Sequence, residues 1–399
     1  AALKAKDPAE EVWQVIDRRS KHVIIQTAPS PRAAIGEEFG LPPGTSVTKK
    51  LNTALKRVGF DKVFDTNFTA DLTVMEEGTE LLHRLKKALV DKDKKVKLPM
   101  MTSCSPGWVK YIEHFYPDKL GHLSTAKSPQ QMFGAIVKTW YAKKHKIDPR
   151  KIVSVSLMPC SAKKFECERP EMNASGYKDV DYALTTREIA GMIRECGLDL
   201  PNLPDSDFDN PLGIGSGAGL VFGATGGVME AALRTVYEIV TGEPVPFKKL
   251  CVTPVRGMEG IRIAEIPVKK AVDEWKFLEG VTLKVMIAHG TANAKQVMEM
   301  LSRGELNDCH FIEIMACPGG CIGGGGQPIP TSPEIREARA RAIYKEDEGL
   351  PCRKSHENPI IKEIYKEFLT DGPCGHLSHK LLHTSYTKRG KWIGKQPKT

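Results

Sequence analysis

The chain predicts an α/β fold, on two observations. Short apolar runs alternate with amphipathic helical segments. Four of those runs also end in turns of one kind, rich in Pro, Ser, Gly and Cys. "KHVIIQTAPSPR" (21–32) runs into Ala28, Pro29 and Ser30, and "KLPMMTSCSPGW" (97–108) into Cys104. "KIVSVSLMPC" (151–160) runs into Cys160, and "CHFIEIMACPGGC" (309–321) into Cys317 and Cys321. In sheets of this class, functional groups gather beyond the carboxyl ends of the strands. The four turns are therefore expected to converge on one site.

Between these strands, residues 128–145, 185–197 and 291–304 read as helices, with Ser or Thr starts or Gly stops. "GIGSGAGLVFGATGG" (213–227) precedes a further helix. It lacks the Gly-Lys-Ser/Thr ending of a phosphate loop and does not match GxGxxG. Close backbone packing near the site is the expected use of its glycines. After residue 330 the chain turns helical and charged, and a soft boundary falls at 323–333. The expected organisation is a leader (1–20), a main domain (21–328), a helical C-terminal segment (329–388) and a basic tail (389–399).

At 399 residues, 41% hydrophobic and 27% charged, the chain can bury a sizeable core. No apolar run reaches the roughly 18 residues of a membrane helix, so no membrane association is expected. The start, "AALKAKDPAEEVW", has neither an initiator Met nor an apolar signal region and reads as a trimmed terminus. Net charge is +9, with Lys and Arg scattered apart from "DKDKKVK" (91–97) and the tail. Aromatics are not interleaved with the basic residues, so nucleic acid is not an expected partner, whereas an acidic protein is.

Ten cysteines in a chain of this length do not form the framework of a small secreted domain. Metal ligation or buried thiols fit better. The first 103 residues contain no Cys, so they hold no ferredoxin-like cluster run.

Three motifs carry chemistry. In "MACPGGCIGGGGQP", two thiols four residues apart stand on a nearly side-chain-free wall, the surface a bulky inorganic ligand needs. In "MPCSAKKFE", Lys163 and Glu166 follow Cys160, and a Lys beside a metal site can hydrogen-bond an anionic ligand. In "MEEGTELLHR", Glu77, Glu80 and Arg84 share one helix face. Spacing alone makes that face a solvated one; buried, the carboxyls could pass protons.

Taken in order, TSCSPGW, MPCSAKKFE and EIMACPGGCIGGGGQP resemble the three signature segments of the iron-only ([FeFe]) hydrogenases, TSCCPxW, MPCxxKxxE and ExMACxxGCxxGGGxP. The likeness runs from about residue 21 to 387, through "SHENP" (355–359) and "LLHT", and is greatest to the short green-algal type. The resemblance implies two α/β lobes of mixed and parallel sheet flanked by helices, with the active site in the cleft between them. It implies an H-cluster, in which a [4Fe–4S] cluster is joined to a two-iron unit with CO, CN and a bridging azadithiolate.

Cys160, Cys317 and Cys321 match cluster ligands, Cys321 being the bridging one. Lys163 matches the residue that hydrogen-bonds a cyanide, and Pro29 and Ser30 match contacts to the other. Met158 and Met315 match apolar pocket walls, and Gln130 lies in the pocket-lining "KSPQQ". Cys104 matches the proton donor, and Glu77, Ser124, Glu80 and Arg84 a proton path to the surface.

The pattern has a second cysteine after Cys104, as the fourth cluster ligand; here that position is Ser105. Ser105 could ligate through oxygen, Cys104 could ligate in its place, or the cluster could lack a fourth protein ligand. The first is preferred, because adjacent side chains at a strand end point opposite ways.

The resemblance further implies reversible 2H⁺ + 2e⁻ ⇌ H₂, with ferredoxin as the acidic electron carrier. It also implies dedicated maturation enzymes, a monomer, and a chloroplast-stroma location, or else the cytoplasm of an anaerobe. The competing expectation is an iron–sulfur assembly or sensory protein without H₂ turnover. The other cysteines (167, 196, 251, 309, 352, 374) and His22, His83, His289 and His356 match no ligand position and are expected to be structural.

Overall fold

The computed structural model describes residues 6–390. Among them are eight strands: β1 (His22–Thr27), β2 (Lys62–Asp65), β3 (Met100–Met101), β4 (Ile152–Met158), β5 (Tyr182–Thr185), β6 (Ile261–Pro267), β7 (Thr282–His289) and β8 (Phe311–Met315). They form two four-stranded sheets flanked by helices. The first is all parallel, in the order β2-β1-β4-β5. The second has the order β3-β8-β7-β6, parallel except for β6 at its edge.

Residue chemistry follows the position of each strand. β1, β4 and β8 are buried along nearly their whole length, on both faces. They read as continuous apolar runs, as covered parallel strands do. β6 alternates buried and exposed residues, as suits an edge strand with one solvated face.

The helix Thr66–Leu89 ties the two lobes together. Its N-cap Asp65 accepts from the Asn67 N–H (2.9 Å) and holds Arg32 (2.7 Å). Phe68 and Leu72 pack in the first lobe with Phe64 and Phe133. Leu81, Leu82 and Leu85, farther along, belong to the core beneath the second sheet with Val285, Ile287 and Phe311.

The segment read as one helix over 128–145 is Pro129–Ile136, a π turn at Val137–Tyr141, and Ala142–Lys144. At the turn, Lys138 is buried and binds Asp181 (2.7 Å) and the Lys178 carbonyl (2.6 Å). Thr186–Glu195 opens on a capping box between Thr185 and Glu188. Residues set apart as a leader include the helix Ala9–Asp17, which is docked on the body. Val12 is fully buried, and the Trp13 indole donates to Glu195 (2.8 Å).

The C-terminal helices Pro333–Gly349, Pro359–Glu367 and His376–Leu382 wrap the main body through buried polar contacts. Arg339 pairs with Glu37 (2.6 Å), and Arg234 with Asp347 (2.8 Å). Asp71, fully buried, accepts from the Ser216 N–H (2.8 Å) and hydroxyl (2.5 Å), the Ser355 hydroxyl (2.8 Å) and the Asn358 amide (2.8 Å). Asp71→Ala strands those donors in a dry site. It is expected to cost about 3 kcal/mol or more in urea unfolding, and a loss below about 1 kcal/mol would show that water replaces the carboxyl. Of the basic tail, Arg389 binds Glu113 (2.8 Å); residues 391–399 lie outside the described residues. No helix among the described residues is long and apolar enough to cross a membrane.

Candidate active site

β1 and β4 are the middle strands of one sheet, and β3 and β8 are neighbours in the other. The turns beyond their carboxyl ends meet at one cavity of about 210 Å³. Ala28, Pro29 and Ser30 come from the first turn, and Cys104 and Ser105 from the second. Met158, Cys160 and Lys163 come from the third, and Met315, Cys317 and Cys321 from the fourth. Gln130 closes one side. The Gly-rich segment adds Phe222 and Gly223, whose carbonyl accepts from the Ser30 hydroxyl (3.4 Å).

The glycines have a measurable reason. A Cβ on Gly324 would lie 2.2 Å from the Pro159 carbonyl oxygen, and one on Gly326 3.0 Å from the Cys160 nitrogen. The Gly326 N–H donates to Pro159 (2.8 Å). These glycines let the Cys317–Cys321 loop lie against the Cys160 turn. Gly320, at φ +85°, makes the bend just before Cys321. His289 fixes that loop by accepting from the Gly319 N–H (3.1 Å) while its other nitrogen bonds the Met258 carbonyl (3.1 Å).

The three thiols thus gathered influence one another. Burial pushes Cys321 up to about 12, with Cys160 and Cys317 adding to it, and burial and Cys160 push Cys317 up to about 11. Backbone N–H groups of Ala162 and Lys163 favour the thiolate of Cys160, and that of Gly325 favours Cys317. Soft thiolates supplied with N–H donors on a side-chain-free wall are a donor set that fits an iron–sulfur cluster.

Lys163 is buried beside them. Its ammonium donates to Glu166 (2.9 Å) and to the Cys104 carbonyl (3.1 Å). Burial opposes its charge, but Glu166 together with Cys104 and Cys160 outweighs burial, and the net shift is upward. Glu166 also accepts from the Ser128 hydroxyl and the Gln130 amide (both 2.9 Å), so the cation is held in a satisfied network.

Cys104 and Ser105 face different neighbours. β3 ends at Met101, so Cys104 lies three residues beyond the strand, and strand alternation does not set their directions. Instead Ser105 is the N-cap of the helix Pro106–Phe115. Its hydroxyl caps no N–H of that helix; it accepts from the Ala316 N–H (3.2 Å), next to Cys317. The Cys104 thiol is pushed well up, first by burial and then by the charge of Glu77. Glu77 is thus a neighbour of the Cys104 thiol.

From there a polar line leads outward. Glu77 is buried beside Ser124, and burial pushes its carboxyl up to about 8, with Glu80 and Glu313 adding to the shift. The Ser124 hydroxyl donates to Glu80 (3.1 Å), and Glu80 holds Arg84 (2.6 Å) near the surface. These carboxyls therefore do not form a solvated face. Between about pH 4.5 and 8 the native state holds a proton on Glu77 that the unfolded chain has lost. Stability is thus expected to fall as pH rises through this window, by up to about 1.4 kcal/mol per unit. Glu77→Gln should flatten the slope in urea unfolding of cofactor-free protein between pH 5 and 8. Equal slopes would contradict the shift.

Two features escaped sequence reasoning. Glu313, two residues before Met315, is fully buried and accepts from the Gly226 (2.6 Å) and Met229 (2.8 Å) N–H groups; burial pushes it up to about 7. A Glu two residues before the "MAC" run was the available signal. His383 hydrogen-bonds Thr125 near Glu80, from 258 residues away in the chain, and no local pattern announces it.

The description "iron only hydrogenase large subunit, C-terminal domain" matches residues 21–325, and "iron hydrogenase small subunit" matches 333–389. The chain belongs to the iron-only ([FeFe]) hydrogenase family. Among its relatives, the NADP-reducing hydrogenase subunit HndD of Solidesulfovibrio fructosivorans is 52% identical over 384 residues, 95% of this chain. The chain spans only 63% of that relative's length. The structure of apo [FeFe]-hydrogenase HydA1 from Chlamydomonas reinhardtii aligns with a TM-score of 0.83 at 42% identity, covering 96% of this chain and 100% of that one. A more distant relative, cytosolic iron-sulfur assembly component 3 of Pongo abelii, is 32% identical over 94% of this chain and 78% of its own length.

Proposed function

We propose that this chain catalyses 2H⁺ + 2e⁻ ⇌ H₂. The observation that carries the reading is one cavity lined both by three gathered thiols and by the Cys104 thiol, from which a carboxyl line leads to the surface. Cys160, Cys317 and Cys321 would hold a [4Fe–4S] cluster, with Ser105 as fourth ligand and Cys321 shared with a two-iron unit bearing CO, CN and azadithiolate. When bound, this cofactor would relay the donor's electrons and supply the bond-making between hydrogens.

The protein's own work is to orient, to keep dry and to move protons. Lys163, Pro29 and Ser30 would bind the polar ligands of the group, with Gln130 holding Glu166 in place. Met158 and Met315 would exclude water. The Cys104 thiol, kept protonated by burial and Glu77, would deliver a proton into the cavity and be recharged through Glu77, Ser124, Glu80 and Arg84.

Electrons would come from ferredoxin, an acidic carrier attracted by the +9 charge. Ferredoxin-driven rates are expected to fall about tenfold between low salt and 0.5 M NaCl, where the screening length is only a few ångströms. Viologen-driven rates should change little, and parallel loss with both donors would contradict electrostatic docking.

Two observations favour a second reading as an iron–sulfur assembly protein: Ser105 stands where the family pattern has a ligand cysteine, and one relative bears an assembly name. Reconstituting the cluster and loading the two-iron unit separates the two. Infrared CO and CN bands with H₂ evolution support the hydrogenase; a stable cluster with neither supports assembly.

A further inference from the structure

Near the outer end of the carboxyl line, a second chain of hydrogen bonds joins it. The Thr125 hydroxyl lies 3.0 Å from Glu80 Oε2 and 2.8 Å from His383 Nδ1. His383 Nε2 lies 3.0 Å from Glu76 Oε2. Glu76 and His383 are both buried. Glu76 also accepts from the Tyr365 hydroxyl (2.5 Å), the Cys374 N–H (2.6 Å) and the Ser378 hydroxyl (3.3 Å). The His383 ring also stacks on exposed His379, with centroids 4.7 Å apart and planes 8° apart. The backbone fixes this arrangement: Thr384 N–H donates to the Thr125 carbonyl (2.7 Å), and Lys127 N–H to that of Leu382 (2.8 Å).

Counting protons shows what these contacts can do. Thr125 has one hydroxyl proton and two acceptors in reach, Glu80 and His383. When His383 carries both ring protons, Nδ1–H donates to Thr125, Thr125 donates to Glu80, and Nε2–H donates to Glu76. When His383 loses the Nδ1 proton, the Thr125 hydroxyl can turn to that nitrogen, and Glu80 keeps only its other donors. The protonation of His383 and of Glu80 is therefore coupled through one hydroxyl.

We propose that the proton line branches at Thr125, and that His383, held between Thr125 and buried Glu76, is a proton store that exchanges a proton with Glu80. In each delivery the Nδ1–H proton passes to Thr125 Oγ1 as the Thr125 hydroxyl proton passes to Glu80 Oε2. One proton is lost by the imidazole and one gained by the carboxyl, and the reverse exchange, from Glu80 through the Thr125 hydroxyl, recharges the ring. His383 acts through Thr125 and Glu80, so it is a positioning and relay group, not one that touches the cofactor. This inference rests on the hydrogenase reading for its purpose, but not for its geometry.

Two measurements test it. In cofactor-free protein, side-chain ¹⁵N resonances of His383 are followed over pH, with Glu76, Thr125 and His379 as the groups facing the ring. Glu80→Gln is expected to shift the His383 titration, and the shift is expected to vanish when Thr125→Val is also present. In cofactor-loaded protein, Thr125→Val and His383→Gln are each expected to lower H₂ evolution by about threefold or more. Infrared CO and CN bands should be unchanged. An His383 titration indifferent to Glu80→Gln, or full turnover in both variants at every pH, would overturn the branch. Intact coupling in a loaded wild type that makes no H₂ would overturn the hydrogenase reading instead.

Discussion

Cys104→Ala is expected to lower H₂ turnover of the loaded protein by about 100-fold or more while leaving iron content and infrared bands in place. A positioned proton donor contributes on that scale, and alanine removes the cavity-lining thiol that feels the charge of Glu77. Cys104→Ser should recover little. A hydroxyl holds its proton far more tightly than a thiol, so a polar side chain of the right size is not a sufficient replacement. Loss of iron in Cys104→Ala would point to ligation and assign the relay elsewhere.

The second large effect is expected at Ser105. Ser105→Cys should slow loss of iron to a chelator by about tenfold or more and raise the cluster's reduction potential, since a soft thiolate replaces a hard oxygen on iron. The position suits a thiolate, because it stands at the N-terminus of the helix Pro106–Phe115 and lies beside the Ala316 N–H. Unchanged retention and an unchanged cluster spectrum would mean that Ser105 does not ligate. The two variants are diagnostic as a pair: if Cys104→Ala loses iron and Ser105→Cys gains none, the roles are exchanged.

The parts of this fold legible in the sequence were those with strong local signals. β1, β4 and β8 are buried on both faces and end in Pro or Cys turns, so their runs stand out. β2 and β5 have four residues each and gave no such run. β3 has two, and its turn was found through Cys104 rather than through the strand. β6 alternates openly, yet its pairing with β7 is set by tertiary register, which a single strand does not display.

The site divides in the same way. Cys317 and Cys321 announce themselves by spacing and by the glycines between and after them, whereas Cys160 and Lys163 stand out only at a strand end and through the family pattern. Glu77 and Glu80 looked like a solvated face on spacing alone. Only the family pattern suggested burial, because what buries them is packing from other parts of the chain. Thr125, His383 and Glu76 come together across 258 and 307 residues, and no local rule links them. The reason offered for separating Cys104 from Ser105 was strand alternation; the structure separates them by a helix start.

The central claim is that this cavity makes H₂ with Cys104 as the last proton donor. The direct measurement is gas-phase H₂ from reduced methyl viologen, comparing loaded wild type with loaded Cys104→Ala, each first shown to carry the CO and CN bands. The account predicts steady evolution from the wild type and about 100-fold less from the variant. No H₂ from a wild type that shows the bands, or equal rates from the two proteins, would contradict it.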